Sequence, residues 1–280
     1  MLTGLLMIGG GVAAGAFGSL LGLGGGVLIV PLLTLGFGLP LREAVGVSLI
    51  CVIMTSSAAA GVFLERHVAN LRLGMTLELF TATGALVGAS IAFLISDQIL
   101  SLLFGLLLLY VAFTMARART VEPSMVETLP MPDPSGASAA EPAARPATVL
   151  DQLSGDGYRV RNLGPGIVGA TGAGVASALL GIGGGIVKVP LMHLAMGVPL
   201  RIATATSNMM IGITAAASAI IYAIHGGIDV YVAGPTAIGV FVGATAGSRL
   251  GHRVDLRYLR LLFVVVLLYT AVEMLMRVVP

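Results

Sequence analysis

Two glycine clusters, one lysine inside an apolar run and a few paired hydroxyls are the groups in this chain whose types and spacing can do chemistry. Gly22, Gly24, Gly25 and Gly26 form a Gly-Leu-Gly-Gly-Gly run, and Gly181, Gly183, Gly184 and Gly185 form Gly-Ile-Gly-Gly-Gly. Glycine permits positive φ and carries no side chain, so a helix can stop and restart at such a run. A helix that restarts at Val27 or Ile186 points free N–H groups and its positive dipole end into the break, which suits a small oxyanion. The competing reading is close helix packing through small residues, which is the reading for Gly84 and Gly88. A dinucleotide fingerprint needs a preceding strand and a βαβ unit, and nothing here supplies either.

Other polar groups fall near the same runs. Lys188 lies three residues after Gly185, where the first copy has Ile29. A cation in a membrane segment is costly and marks a functional site, unless its side chain snorkels to an interface. Ser48 and Ser207 are paired, Asn208 follows in the second copy, and Thr55 and Thr214 are paired further along. Hydroxyls and amides so spaced on a helix either face one cavity and donate to an anion or bond back to their own helix. Arg42 and Arg201 follow prolines and read as caps of short loops. Glu78 and Glu273 read either as carriers of a coupling proton or as interfacial acids, and His193 as a hydrogen-bonded core histidine. No His/Asp/Glu spacing suits a metal, no motif places a nucleophile beside a base, and no basic-aromatic surface suits nucleic acid. No cofactor and no enzymatic activity are expected.

These groups sit in a chain that repeats itself. Pairing each residue from Gly15 to Ser48 with the one 159 positions later, ending at Ser207, gives 17 identities over 34 residues without a gap. Leu102, Phe104, Tyr110 and Met115 match Leu261, Phe263, Tyr269 and Met274 at the same offset, while residues 84–89 resemble 239–244 at an offset of 155. A short deletion and a compensating insertion near Arg253 would reconcile the two offsets. A doubled glycine-rich interruption of this kind is the pattern expected at the site of a two-repeat transporter.

The chain is 57% hydrophobic and 10% charged, against roughly 45–50% and about 25% in soluble domains. Apolar segments lie near residues 2–21, 27–39, 44–64, 74–95 and 99–116, and again near 164–180, 186–198, 202–224, 230–250 and 256–279. The second of each set is too short to span comfortably and is either a short helix or half of a re-entrant hairpin. The expectation is an all-α polytopic membrane protein of two inverted five-segment repeats, with short glycine-broken helices near the midplane. Residues 1–116 form the first repeat, 117–160 a flexible Pro/Ala-rich cytoplasmic linker, and 161–280 the second. The first segment has no Lys or Arg before it and reads as a membrane segment rather than a signal peptide. The single cysteine, Cys51, reads as a packing residue.

Arginine placement sets the orientation. The loop after segment three carries Arg66 and Arg72, and its counterpart at 226–228 carries none; the loop after segment nine carries Arg249, Arg253, Arg257 and Arg260, and its counterpart at 96–98 none. Loops rich in Lys and Arg stay cytoplasmic. The halves are therefore expected to face opposite ways, with Arg117, Arg119, Arg159 and Arg161 holding the linker inside.

At the duplicated glycine run and the Pro-Leu-Arg that follows it, at residues 40–42 and 199–201, the sequence resembles the TauE/SafE, or sulfite exporter, family. The resemblance covers residues 2–116 and 161–279 and omits the linker. It implies export of small sulfur-containing oxyanions, such as sulfite, sulfoacetate or other organosulfonates, through a bacterial cytoplasmic (inner) membrane. Together these readings place an anion between residues 24–27 and 183–186, touching Gly24, Gly25, Gly26, Val27, Gly183, Gly184, Gly185 and Ile186. Ser48, Thr55, Lys188, Ser207, Asn208 and Thr214 complete the expected site. The expected partners are that anion and the lipid bilayer, with a homodimer one assembly open to the chain. A passive anion channel, a carrier of another small organic anion and, more remotely, a membrane enzyme are the rivals.

Overall fold

The computed structural model describes residues 2–21, 25–65, 69–117, 153–154, 158–250 and 256–276. The first half contains α1 (Leu2–Leu21), α2 (Gly26–Pro31) continuing into a π-helical turn (Leu32–Gly36), α3 (Leu41–Glu65), α4 (Leu71–Leu94) and α5 (Asp97–Arg117). The second contains α6 (Leu163–Leu180), α7 (Gly185–Pro190) with its π-helical turn (Leu191–Ala195), α8 (Leu200–Ile224), α9 (Val230–Leu250) and α10 (Leu256–Met276). Six of these helices are long and apolar enough to cross a membrane by length and composition. The protein is an all-helical, multi-pass membrane protein.

Apolar sequence leaves the backbone no water to bond with inside a bilayer, so each segment satisfies its amides internally as a helix. Pro31 and Pro190 end the two short helices for a local reason. Proline has no N–H to donate and crowds the preceding turn, and the chain widens into a π-turn directly after each. Asn70 starts α4 by accepting the Leu73 N–H at 3.0 Å, which is ordinary N-cap chemistry.

Between lipid-soluble helices there is little hydrophobic driving force, and association depends on close backbone approach. The glycines provide it. A Cβ built on Gly84 would lie 2.2 Å from the Thr171 carbonyl oxygen, and one on Gly88 2.6 Å from that of Val175, so α4 and α6 meet backbone to backbone. On the other side, a Cβ on Gly243 would lie 2.1 Å from the Val12 oxygen and one on Gly247 2.7 Å from that of Ala16, joining α9 to α1.

These contacts correct the offset of 155 expected for the fourth segment. Gly243 and Gly247 are 159 residues beyond Gly84 and Gly88, and their partners Val12 and Ala16 are 159 before Thr171 and Val175. The helices agree: α2, α3, α4 and α5 each begin 159 positions before α7, α8, α9 and α10. No deletion or insertion is needed, because packing register outweighs the local likeness of residues 84–89 to 239–244. Neighbours exchange in the same way. Helix α1 packs on α9 as α6 packs on α4, α3 meets α8, α5 meets α10, and α4 touches α8 as α9 touches α3.

Side chains facing the centre are buried, among them Ile29, Leu33, Leu49, Phe104 and the free Cys51. Large apolar side chains such as Leu94 and Tyr231 stand out from the helix surfaces, 85% and 91% exposed, as lipid-facing residues must. Residues that the sequence reading assigns to the linker also join a core. Leu153 and Val160 are buried with Leu73, Leu77, Met192 and Met196. Asn70 ties them down, its Nδ2 donating to Leu153 O at 2.8 Å and to the Tyr158 hydroxyl at 2.6 Å.

Candidate anion site

Helix α6 ends at Leu180, where Gly181 receives φ 68° and donates its N–H to Ser177 O. Gly183 and Gly184 follow at φ 75° and 74°, and α7 begins at Gly185. Positive φ is the conformation that excludes most side chains. In the first copy Gly25, at φ 76°, precedes α2, while Gly24 lies outside the described residues. The first intrahelical donors are Leu28 N–H to Gly25 O and Val187 N–H to Gly184 O, both at 3.1 Å. The amides of Gly26 and Val27, and of Gly185 and Ile186, precede those first turns.

The two glycine stretches touch. A Cβ on Gly26 would lie 2.5 Å from Gly181 O and 3.1 Å from the Ile182 Cα. Ser48 bridges them, its hydroxyl donating to Gly181 O at 2.7 Å with Gly26 O at 3.4 Å. Packing is tight elsewhere as well, since Cβ atoms on Gly183 and Gly185 would meet Ile211 at 2.5 and 2.6 Å. Close packing and positive φ both therefore demand glycine in these stretches.

Lys188 is 1% exposed and does not reach an interface. Its ammonium pairs with Glu78 Oε2 on α4 at 3.2 Å and donates to Thr214 Oγ1 on α8 at 2.5 Å. Thr214 in turn donates to Glu78 Oε1 at 2.6 Å. Glu78 is 4% exposed, so the interfacial alternative for it fails too. At the offset of 159 the counterparts of Lys188 and Glu78 are Ile29 and Ala237, both buried and apolar. The charged device exists in one half only, on a scaffold that both halves share.

Two buried hydroxyls beside the start of α7 are unsatisfied: Ser207 Oγ and Ser177 Oγ have no hydrogen-bond partner. Ser207 Oγ is 3.7 Å from where a Cβ on Gly185 would sit, and the Ser177 Cβ is 3.2 Å from the same position on Gly184. Buried polar groups are normally paired, and exceptions ask for an explanation. Lys188 itself has three donors, and the contacts above engage two of them. Anion chemistry is therefore concentrated at the start of α7: an ammonium, two hydroxyls and the amides of Gly185 and Ile186.

The structure thus gathers Gly183, Gly184, Gly185, Lys188, Ser207 and Thr214 around α7, and sets Gly26 and Ser48 of the first half against Gly181; Gly25 packs against Thr55, Ala14 and Ile29 of its own half instead. Thr55 bonds back to Val52 O at 3.0 Å. Asn208 is buried, and its backbone oxygen accepts the Ser56 hydroxyl at 2.6 Å. Arg42 stands apart, donating to Ile95 O at 2.8 Å and pairing with Asp97 at 2.9 Å, as a loop cap would. His193 donates from Nδ1 to Val198 O, 2.9 Å away, but is exposed rather than in the core. Ser177 is the residue that sequence reasoning missed. Its counterpart is Gly18, so no paired hydroxyl flagged it. Among the described residues no three His, Cys, Asp or Glu side chains stand close enough to hold a metal.

A cavity of about 360 Å³ lies elsewhere, between α1, α2 and α10, lined by Ala14, Phe17, Leu28, Leu32, Phe263 and Tyr269 among others. Its walls are nearly all apolar and offer a charged solute no partner. The polar cluster at α7 is the better candidate despite its compactness.

Comparison with known proteins returns probable membrane transporters. A probable membrane transporter protein of Bacillus subtilis (strain 168), YunE, is 25% identical over 271 residues, covering 92% of each chain. One from Xylella fastidiosa (strain 9a5c) is 29% identical, covering 89% of this chain and 85% of that one. Another, MJ0441 of Methanocaldococcus jannaschii, is 26% identical, covering 90% and 88%. No solved structure matches the chain. The model of the sulfite exporter TauE/SafE family matches residues 7–274, nearly the whole polypeptide, and the chain belongs to that family of membrane transporters.

Proposed function

We propose that this transporter exports small sulfur-containing oxyanions, with sulfite, sulfoacetate and other organosulfonates as the substrate class, by alternating access across a bacterial inner membrane. The anion is held where the two glycine stretches meet, between the first turns of α2 and α7, with Lys188 and Ser207 beside it. The carrying observation is Lys188: a buried cation one turn into α7, a helix whose start is flanked by two hydroxyls that lack partners. An anion between them would satisfy both hydroxyls and the third ammonium hydrogen.

Alternating access follows from inversion of the halves. The arginine asymmetry between equivalent loops supports opposite insertion of two units that share one order of helices. In such a pair a single site at the junction opens to either side as one unit rocks against the other. Ser48, which crosses from α3 to Gly181, lies on that junction.

The test is flux. Proteoliposomes loaded with isotopically labelled sulfite, sulfoacetate or methanesulfonate should release label faster than empty-membrane controls, with saturation. If no sulfite, sulfonate or small carboxylate moves above control, the reading is wrong. Discrete single-channel currents in planar bilayers would replace the carrier with a channel.

A further inference from the structure

We infer that the Glu78–Lys188–Thr214 cluster couples transport to protons, so that each anion enters the site together with one proton taken up by the Glu78 carboxylate. This rests on the anion-binding reading above and names its coupling ion. The argument begins with charge. Lys188 and Glu78 are both buried and paired at 3.2 Å, so the resting site is neutral. An anion added to that neutral pair would leave one negative charge in a medium that tolerates none. Protonating Glu78 removes the mismatch: its carboxylate becomes a neutral acid, and the Lys188 ammonium is left to face the anion. The site is neutral before and after.

The geometry suits the exchange. Thr214 bridges the pair, accepting from Lys188 and donating to Glu78 Oε1 at 2.6 Å. When the carboxyl is protonated, its own O–H can be given to Thr214 Oγ1, and the ammonium loses only one acceptor. The Lys188 Cε lies 3.5 Å from where a Cβ on Gly184 would sit. The Ser177 Cβ lies 3.2 Å from that same point, so a modest swing about the side chain carries the ammonium toward Ser177, whose hydroxyl is unpaired. The proton comes from the aqueous phase to which the site is open and leaves on the other side with the anion.

Nothing else nearby competes for that proton among the described residues. Helix α4 packs on α6 and α8. Helix α6 carries no ionisable side chain; α8 carries Arg201 in its first turn and Tyr222, whose hydroxyl donates to Ala178 O. Arg72 sits in the first turn of α4. On the α7 arm, His193 is bonded to Val198 O. Among the described side chains Lys188 is the charged group that pairs with Glu78.

The experiment uses the purified full chain in detergent and methanesulfonate, a strong acid that does not itself titrate near neutrality. Calorimetry in buffers of different ionisation enthalpy should show about one proton taken up per methanesulfonate bound, with affinity falling about tenfold per pH unit on the alkaline side. Infrared difference spectra should gain a protonated-carboxyl band on methanesulfonate addition, and Glu78→Gln should abolish both that band and the proton uptake. The combined Glu78→Gln, Lys188→Met variant removes both charges while keeping side-chain size, and should fold and take up no proton. Binding without proton uptake in the unmodified protein overturns the coupling but leaves the transport reading intact. So does an undiminished carboxyl band in Glu78→Gln. Absence of methanesulfonate binding at every pH overturns both.

Discussion

Removing Lys188 alone should harm the fold far more than removing Lys188 and Glu78 together. The pair is almost wholly inside the protein, at 1% and 4% exposure. Breaking a buried pair by deleting one partner typically costs about 3–5 kcal/mol, because the other charge stays behind without compensation. Replacing both by uncharged groups of similar volume is often neutral. Here Lys188→Met leaves Glu78 with only the Thr214 hydroxyl, and Glu78→Gln leaves the ammonium with neutral acceptors and no counter-charge. At about 2–4 °C per kcal/mol for chains of this size, each single variant should melt roughly 6–20 °C lower, and the double variant within a few degrees of the parent. Thermal unfolding in one detergent, followed by circular dichroism and by exposure of buried Cys51 to a thiol dye, measures all four proteins. Additive losses in the double variant, or a single variant that melts with the parent, would show that Lys188 and Glu78 do not depend on each other.

Ser207→Ala should weaken anion binding roughly tenfold to hundredfold, the range of a hydrogen bond to a charged group. It should leave the melting temperature unchanged, because Ser207 Oγ has no partner to lose; unchanged methanesulfonate affinity would remove Ser207 from the site. Ser48→Ala should behave in reverse, costing about 1 kcal/mol of stability through the lost bond to Gly181 O, as chemical denaturation would register. Gly84→Ala and Gly243→Ala should each cost about 1–3 kcal/mol by overpacking, since their new Cβ atoms would lie 2.2 and 2.1 Å from carbonyl oxygens. The controls Gly172→Ala and Gly234→Ala meet nothing within 4 Å, and should melt at or above the parent temperature. Arg42→Gln should leave anion flux intact while loosening the α4–α5 corner, where Arg42 holds Ile95 O and Asp97; loss of flux with a normal melting curve would move Arg42 into the transport machinery.

Much of the molecule was legible before any coordinates. Apolar runs of spanning length announce helices, because a bilayer accepts no other single-chain solution short of a barrel. The duplication shows as identities at one offset, and its residues carry the family. An intramembrane lysine is conspicuous by its cost alone. What the linear order hides is which segment faces which. Glu78 and Lys188 are 110 residues apart, on segments that are not sequence neighbours, so Lys188 stands out by itself and Glu78 reads as a separate, weaker lead. Ser177 carries no signal of its own, since a serine in an apolar helix usually bonds back to that helix, and only packing reveals that it does not. The register of α4 and α9 was misread from local likeness, and helix contact through Gly84 and Gly243 corrected it. Composition and repetition are properties of the chain alone; the pairing of buried charges and the abandonment of two hydroxyls depend on where separate helices come to rest.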